Sequence, residues 1–278
     1  MNVTIRPMTA ADIPSGIRLK KQNLWNTLPE DWRRQLDLQP GGCFVAETGG
    51  AVVGTACACI FDTVAWINLV LVDKIHRGRG IGTSLMRTVL AWLDERKVPS
   101  IRLDATPLGR PIYEKLGFTA EYELTRYEGT MPQLAGASSR VHVAQPSDLP
   151  EVIQLDHAVT GTNRSKLIRY LSGSTSFFVA RGNDGIAGCA AFRPGSRARH
   201  IGPCLGDSSV CRELVATISQ FLHGDVIFMD IPVAHAEANA FATQIGLTAQ
   251  RGLTRMGRGV PVREDIARMW CSFGPEKG

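Results

Sequence analysis

The spacing of apolar residues along the chain changes period several times, and each change marks an element. Val3–Arg6 alternates as a short strand. Thr9, with Asp12 three positions on, reads as a capped helix start running towards Gln22. A second helix starts at Pro29-Glu30-Asp31, where proline suits the first turn and the acids face the positive end of the dipole. Cys43–Glu47 and Ala51–Ile60 are β-branched-rich runs joined by Thr48-Gly49-Gly50, a hairpin signal. Trp66–Val72 is nearly continuous and apolar, as expected of a strand covered on both faces. Past a glycine-rich turn, Ile81, Leu85, Val89 and Leu93 fall on one side of a helix. Ile101–Ala105 predicts another strand. Arg110–Leu116 predicts a short helix with Pro111 near its start and Gly117 as its C-terminal cap, and Phe118–Tyr127 a last alternating strand. This order is an α/β plan with a mixed central sheet flanked by helices.

The pattern then starts again. Leu116–Arg126 can be laid on Ile245–Arg255 at an offset of 129, with Gly, Thr, Ala, Leu, Thr and Arg coinciding. Phe44-Val45-Ala46 falls on Phe178-Val179-Ala180, and Gly54 on Gly188, at an offset of 134. Asp12-Ile13-Pro14 resembles Asp148-Leu149-Pro150 at 136. Three matches in one order at nearly one offset indicate two copies of one domain. Residues 1–130 and 140–278 are the expected copies, with the Gly-, Ser-, Ala- and Pro-rich stretch 131–139 as a linker.

Composition narrows the class. The chain has 278 residues, 44% hydrophobic and 21% charged, values that suit a globular core and argue against long disorder. No apolar run reaches the ~18 residues of a membrane-spanning helix, and the N-terminal residues show no signal-peptide core. Seven scattered cysteines, never spaced C-x-x-C, speak against structural zinc and a disulfide framework, so the expected location is a reducing cytoplasm. A net charge of +5 without clustered basic residues and interleaved aromatics gives no nucleic-acid groove. No metal site, no membrane partner and a monomer or homodimer are expected.

The chemistry concentrates in His76-Arg77-Gly78-Arg79-Gly80-Ile81-Gly82-Thr83, a strand-to-helix turn. Backbone N–H groups at a helix N-terminus hold phosphate, glycines let the anion come close, and arginines add charge. No Gly-Lys-[Ser/Thr] follows, so it is not a Walker loop. The G-x-G-x-G spacing also fails as a dinucleotide fingerprint.

This loop resembles the R-x-x-G-x-G/A acyl-CoA signature of the GNAT acyltransferase superfamily, and Ile112-Tyr113-Glu114-Lys115-Leu116-Gly117-Phe118 resembles the segment that closes the same domain. With the repeat, the whole chain resembles tandem two-domain GNAT proteins. The resemblance implies two GNAT-like domains and an N-acyltransferase moving acetyl from acetyl-CoA to a primary amine of a small molecule or peptide. It implies that Val70 and Val72 bond the acetyl carbonyl and the pantetheine arm. Arg77, Gly78, Arg79, Gly80, Ile81, Gly82 and Thr83 would hold the pyrophosphate, and Tyr113 would reprotonate the leaving thiolate. An oxyanion contact such as that at Val70 is worth about 3 kcal/mol. A phenol of pKa ~10 is a sensible donor to a thiolate of pKa ~8.5.

Trp66 and Asn68 stand where some relatives carry a basic residue; Asn68 can orient a water but takes no proton at neutral pH. Glu30, Asp62 and Asp104 are substitutes that also read as solvated or capping carboxylates, so no base is named. His76 suits either a phosphate contact or an exposed loop. Trp25 and Trp32 suit either an acceptor pocket or helix packing, and Cys57 and Cys59 read as small buried residues. A non-catalytic acyl-CoA-binding sensor or scaffold is the alternative function, and a generic nucleotide-phosphate binder a third.

The second copy lacks this machinery. Gly206–Arg212 replaces the loop, with Ser209 and Cys211 where Gly80 and Gly82 stand at the 129 offset, and Ala242 replaces Tyr113. Asp207 at a pyrophosphate position is repulsive. Residues from about 140 onward are expected to be a degenerate GNAT fold.

Overall fold

The computed structural model describes residues 3–277. The first half runs β1 (Thr4–Pro7), α1 (Ile13–Gln22), α2 (Pro29–Leu38), β2 (Cys43–Thr48), β3 (Ala51–Phe61), β4 (Val64–Val72), α3 (Ile81–Glu95), β5 (Ser100–Ala105), α4 (Arg110–Glu114) and β6 (Thr119–Thr130). The second half repeats it as β7 (Val141–Val143), α5 (Leu149–Thr160), α6 (Ser165–Ser172), β8 (Phe177–Gly182), β9 (Gly185–Arg193) and β10 (Arg199–Gly206). It continues with α7 (Ser208–Leu222), β11 (Val226–Pro232), α8 (Ala236–Gln244), β12 (Thr248–Gly259) and one addition, β13 (Met269–Cys271). β6 and β12 start and stop 129 residues apart, as the internal repeat predicts.

All strands join one sheet, in the order β1-β2-β3-β4-β5-β12-β6-β11-β10-β9-β8-β7, with β13 beside β10. The two halves exchange their last long strands. β12 pairs antiparallel with β5, matching Thr254 to Ala105 and Gly259 to Ser100. β6 pairs with β11, from Val226 opposite Thr130 to Pro232 opposite Leu124. β6 and β12 pair with each other along the seam.

Helices cover both faces. The apolar side of α3, with Ile81, Leu85, Val89 and Leu93 buried, packs on β2 to β5. Each such side chain contributes about 1.5–3 kcal/mol of burial. α1 and α2 close the other face, where Trp32 is fully buried and lies against Gly16. A third cluster joins Cys59, Phe61 and Trp66 of the first half to Leu167, Phe177 and Phe273 of the second, so the two halves share core as well as sheet.

Candidate active site

β4 and β5 run parallel but pair only from Val64 opposite Ser100 to Trp66 opposite Arg102. Beyond Trp66 they part. A bulge bends β4 there: Cys57 faces Asn68 and Thr55 faces Leu71, leaving Leu69 and Val70 against Ala56 alone. Leu69 sits at φ 51, a left-handed conformation that costs a non-glycine residue about 1–2 kcal/mol. The buried Thr55 hydroxyl holds it by donating to the Leu69 carbonyl at 2.7 Å.

The resulting cleft holds a cavity of about 420 Å³. Val70, Val72, Leu103 and Asp104 line it from the two strands, and Tyr113 from α4. Arg77, Gly78, Gly80, Ile81, Gly82 and Thr83 close one end, whereas Arg79 is exposed and outside the lining. Gly78 (φ 74) and Gly80 (φ 78) take left-handed backbone that only glycine adopts without strain, and Gly80 is the N-cap of α3. A Cβ at either would meet nothing within 4 Å, which leaves open space over the amides. The first N–H groups of α3 lack intrahelical acceptors. The free N–H groups and the open space over them fit a diphosphate. Arg77 donates to the Val72 carbonyl at 3.3 Å and to Asn23, which fixes it at the rim. His76 also lines the cavity, with its Nδ1 buried and unpartnered.

Tyr113 is half-buried against Phe118, and burial pushes its hydroxyl up to about 12. Among the described residues that hydroxyl has no hydrogen-bond partner. It stays protonated and free to donate.

The remaining sequence candidates are distributed differently from their first reading. Asn68 lines the cavity, but its amide donates to the Glu276 carbonyl at 3.0 Å, and Trp66 donates to the Pro275 carbonyl at 3.0 Å. The C-terminal segment thus occupies both donors. Asp104 is gripped by Arg255 through two bonds of 2.9 and 3.0 Å. Glu30 and Asp62 are exposed and outside the lining. Trp25 is in the loop after α1, not in a helix, and lines the cavity; Trp32 is core. All seven cysteines are buried and unbridged. Among the described residues no group of three or more His, Cys, Asp or Glu is placed to hold a metal, and no helix is long and apolar enough to cross a membrane.

Sequence reasoning missed the far wall. Arg126, Arg193, Arg251, Leu253, Pro275 and Glu276 line the same cavity, and all but Arg126 come from the second half. The signal was non-local, because strand exchange carries β12 into the first half.

In the second half the corresponding cleft is filled. β10 and β11 pair from Arg199 to Ile201, then part, and β13 enters the wedge. Cys271 pairs with Cys204 of β10, and Ser272 N–H donates to the Asp230 carbonyl of β11 at 2.9 Å. Trp270 is fully buried and donates to the Ser208 hydroxyl at the first turn of α7, at 3.2 Å. The N-cap of α7 is Asp207, so the structural match to Gly80 is Asp207, two residues from the 129-offset alignment. An aspartate thus stands at the N-cap of α7, and β13 lies in the gap between β10 and β11.

A split parallel strand pair followed by a long helix occurs twice, open beside the glycine-capped α3 and filled by β13 beside the aspartate-capped α7. The sequence profile of the acetyltransferase (GNAT) family matches residues 17–118, and that of an acetyltransferase (GNAT) domain matches residues 152–271. The chain belongs to the GNAT acetyltransferases, with two domains in tandem. Relatives of this GNAT protein include the holothin acyltransferase of Pseudoalteromonas sp. strain SANK 73390, 27% identical over 213 residues, spanning 75% of this chain and 71% of the relative. The uncharacterised N-acetyltransferase YitH of Bacillus subtilis is 26% identical over 83% of this chain and 82% of its own length. A crystal structure from Pyrococcus horikoshii, assigned to the acetyltransferases, superposes with a TM-score of 0.86 at 26% identity, covering 99% of this chain and 96% of that one. The tandem GNAT protein of the clavulanic acid biosynthesis pathway shares the fold, with a TM-score of 0.65 at 14% identity over 94% of this chain and 100% of that one.

Proposed function

We propose that the protein is an N-acyltransferase that moves acetyl from acetyl-CoA to a primary amine by direct attack. The observation that carries this reading is the continuity of one cavity from the Gly78–Thr83 amides, past β4, to the Tyr113 hydroxyl. The diphosphate of the coenzyme fits the N–H groups of the loop and of the first turn of α3. The arm fits the gap between β4 and β5, where the bulge turns the Val70 backbone towards the cleft.

The amine nitrogen attacks the thioester carbonyl, the C–S bond breaks, and the sulfur leaves as thiolate. Tyr113 gives that sulfur its proton. The ammonium proton goes to solvent, since Asp104 and Glu276 are both held by arginines. That pairing also favours a second reading, an acyl-CoA sensor that binds without turnover.

Calorimetry with acetyl-CoA and a free-thiol assay over an amine panel test both. Micromolar binding with steady, amine-dependent CoA release is the expected result. Binding without release gives the sensor, and no binding at millimolar acetyl-CoA overturns both. Adenine nucleotides competing as well as CoA would leave only a phosphate binder.

A further inference from the structure

Arg126, Arg193 and Arg251 all line the cavity, and one of them lacks a paired anion among the described residues. Arg251 of β12 lies directly opposite Arg126 of β6 in the sheet. Like charges so placed repel. Arg126 is neutralised by Asp230, with bonds of 2.7 and 2.6 Å. Arg251 is not: among the described residues it makes no ion pair, and its Nε is buried without a hydrogen-bond partner. Nearby anions are already committed, Asp230 to Arg126 and Glu276 to Arg193 and Lys277. Arg193 itself leaves Nε and Nη1 without hydrogen bonds. His200, the other ring beside Asp230, is driven by burial down to about 3 and adds no charge.

The pseudo-equivalent place in the other half shows what is missing. Arg255 corresponds to Arg126, Asp104 to Asp230, and Tyr122 to Arg251. There Tyr122 and Glu264 complete the ring: Arg255 donates to the Tyr122 hydroxyl at 2.8 Å and to Glu264 at 2.9 Å. Around Arg126 the tyrosine is replaced by a second guanidinium, and the nearby carboxylate, Glu276, pairs with Arg193 and Lys277 instead of bonding Arg126 or Arg251. Arg126 and Arg251 both line the cavity. Burial and the neighbouring Arg126 lower Arg251 to about 10, against the attraction of Asp230 and Glu276.

We propose that Arg251, with Arg193 lining the same cavity, recognises a compact anionic group, carboxylate or phosphate, on the acceptor amine. The guanidinium fork matches such a group through two parallel bonds, and the anion separates the like charges of Arg126 and Arg251. This inference rests on the acyltransfer reading and narrows its acceptors to amines that carry a negative charge.

The test compares matched acceptors with acetyl-CoA and the intact chain: amino acids against their carboxamides, and aminoethyl phosphate against ethanolamine. Wild type should favour the anionic member by about ten- to a hundredfold in kcat/KM, the worth of hydrogen bonds to a charged group. The carboxylate and phosphate arms tell which anion it is. R251M should bring that ratio close to one, leave acetyl-CoA affinity unchanged, and keep or raise the melting temperature, because it removes an unpaired charge. Equal use of both members by wild type overturns the inference while leaving acyltransfer intact. R251M that keeps the ratio, or that weakens acetyl-CoA binding, overturns it as well. Failure to bind acetyl-CoA at all instead removes the underlying reading.

Discussion

Arg255 of β12 and Asp104 of β5 form a fully buried two-bond ion pair across the junction made by strand exchange. Its counterpart, Arg126 with Asp230, spans β6 and β11. In each case the last long strand of one half ties itself to the fifth strand of the other. Removing one member leaves the other charged and buried, which costs about 3–5 kcal/mol. R255M should therefore lower the stability measured by urea unfolding by that amount, far more than R251M. An R255M protein as stable as wild type would mean that water reaches Asp104.

Exchange also ties the fate of each half to the other. Residues 1–139 alone would present β5 and β6 with open edges and lose the Phe273 side of a shared core. Produced alone, this piece should be insoluble or unfolded by circular dichroism. Co-produced with residues 140–278, it should recover one folded complex. A soluble, cooperatively melting first piece would contradict the shared sheet.

Gly80→Asp should abolish acetyl-CoA binding in calorimetry. It forces a side chain into φ 78 backbone and sets a carboxylate where Asp207 stands in the filled copy. Gly80→Ala isolates the conformational part and should cost about 1–2 kcal/mol of stability. Unchanged affinity in the aspartate variant would move the diphosphate elsewhere.

Tyr113→Phe should lower kcat by roughly ten- to a thousandfold, the range for losing a general acid, with acetyl-CoA binding little changed. Because burial raises the Tyr113 hydroxyl to about 12, no alkaline loss of rate below pH 10 should trace to it. An unaltered kcat would take Tyr113 out of the reaction.

Acid stability has a named contributor in Glu264. Burial alone would raise its carboxyl, yet Arg255 and Arg102, with bonds from Arg102 and Tyr122, hold it at about 2 against an ordinary 4.5. A depressed carboxyl stabilises the fold above its unfolded pKa and ceases to do so as pH falls through the folded one. The stabilisation, on the order of 3 kcal/mol, should fade between about pH 4.5 and 2. E264Q should flatten the urea-midpoint curve in that window. An equally steep curve would assign the acid sensitivity to other carboxylates, such as Asp12.

The local half of this picture was legible in the residues. Apolar runs placed β4 and α3, glycines placed the loop between them, and Pro111 with Gly117 bracketed the helix of Tyr113. The repeat made β12 the equivalent of β6, and their bounds lie 129 residues apart. Alternation, however, says which face a strand buries and not which strand it pairs with. The exchange of β6 and β12 was therefore invisible, and with it the arrival of Arg251 and Glu276 beside the first half's cleft. Met269–Cys271 is too short for a periodic signal, so the filling of the second cleft was hidden too. Asp104 read as a free carboxylate because its partner is 151 residues away.

Copies that have traded their closing strands can no longer be shed one at a time. The second copy holds β13 in its wedge, and deleting its gene segment would also remove a strand from the middle of the first copy's sheet.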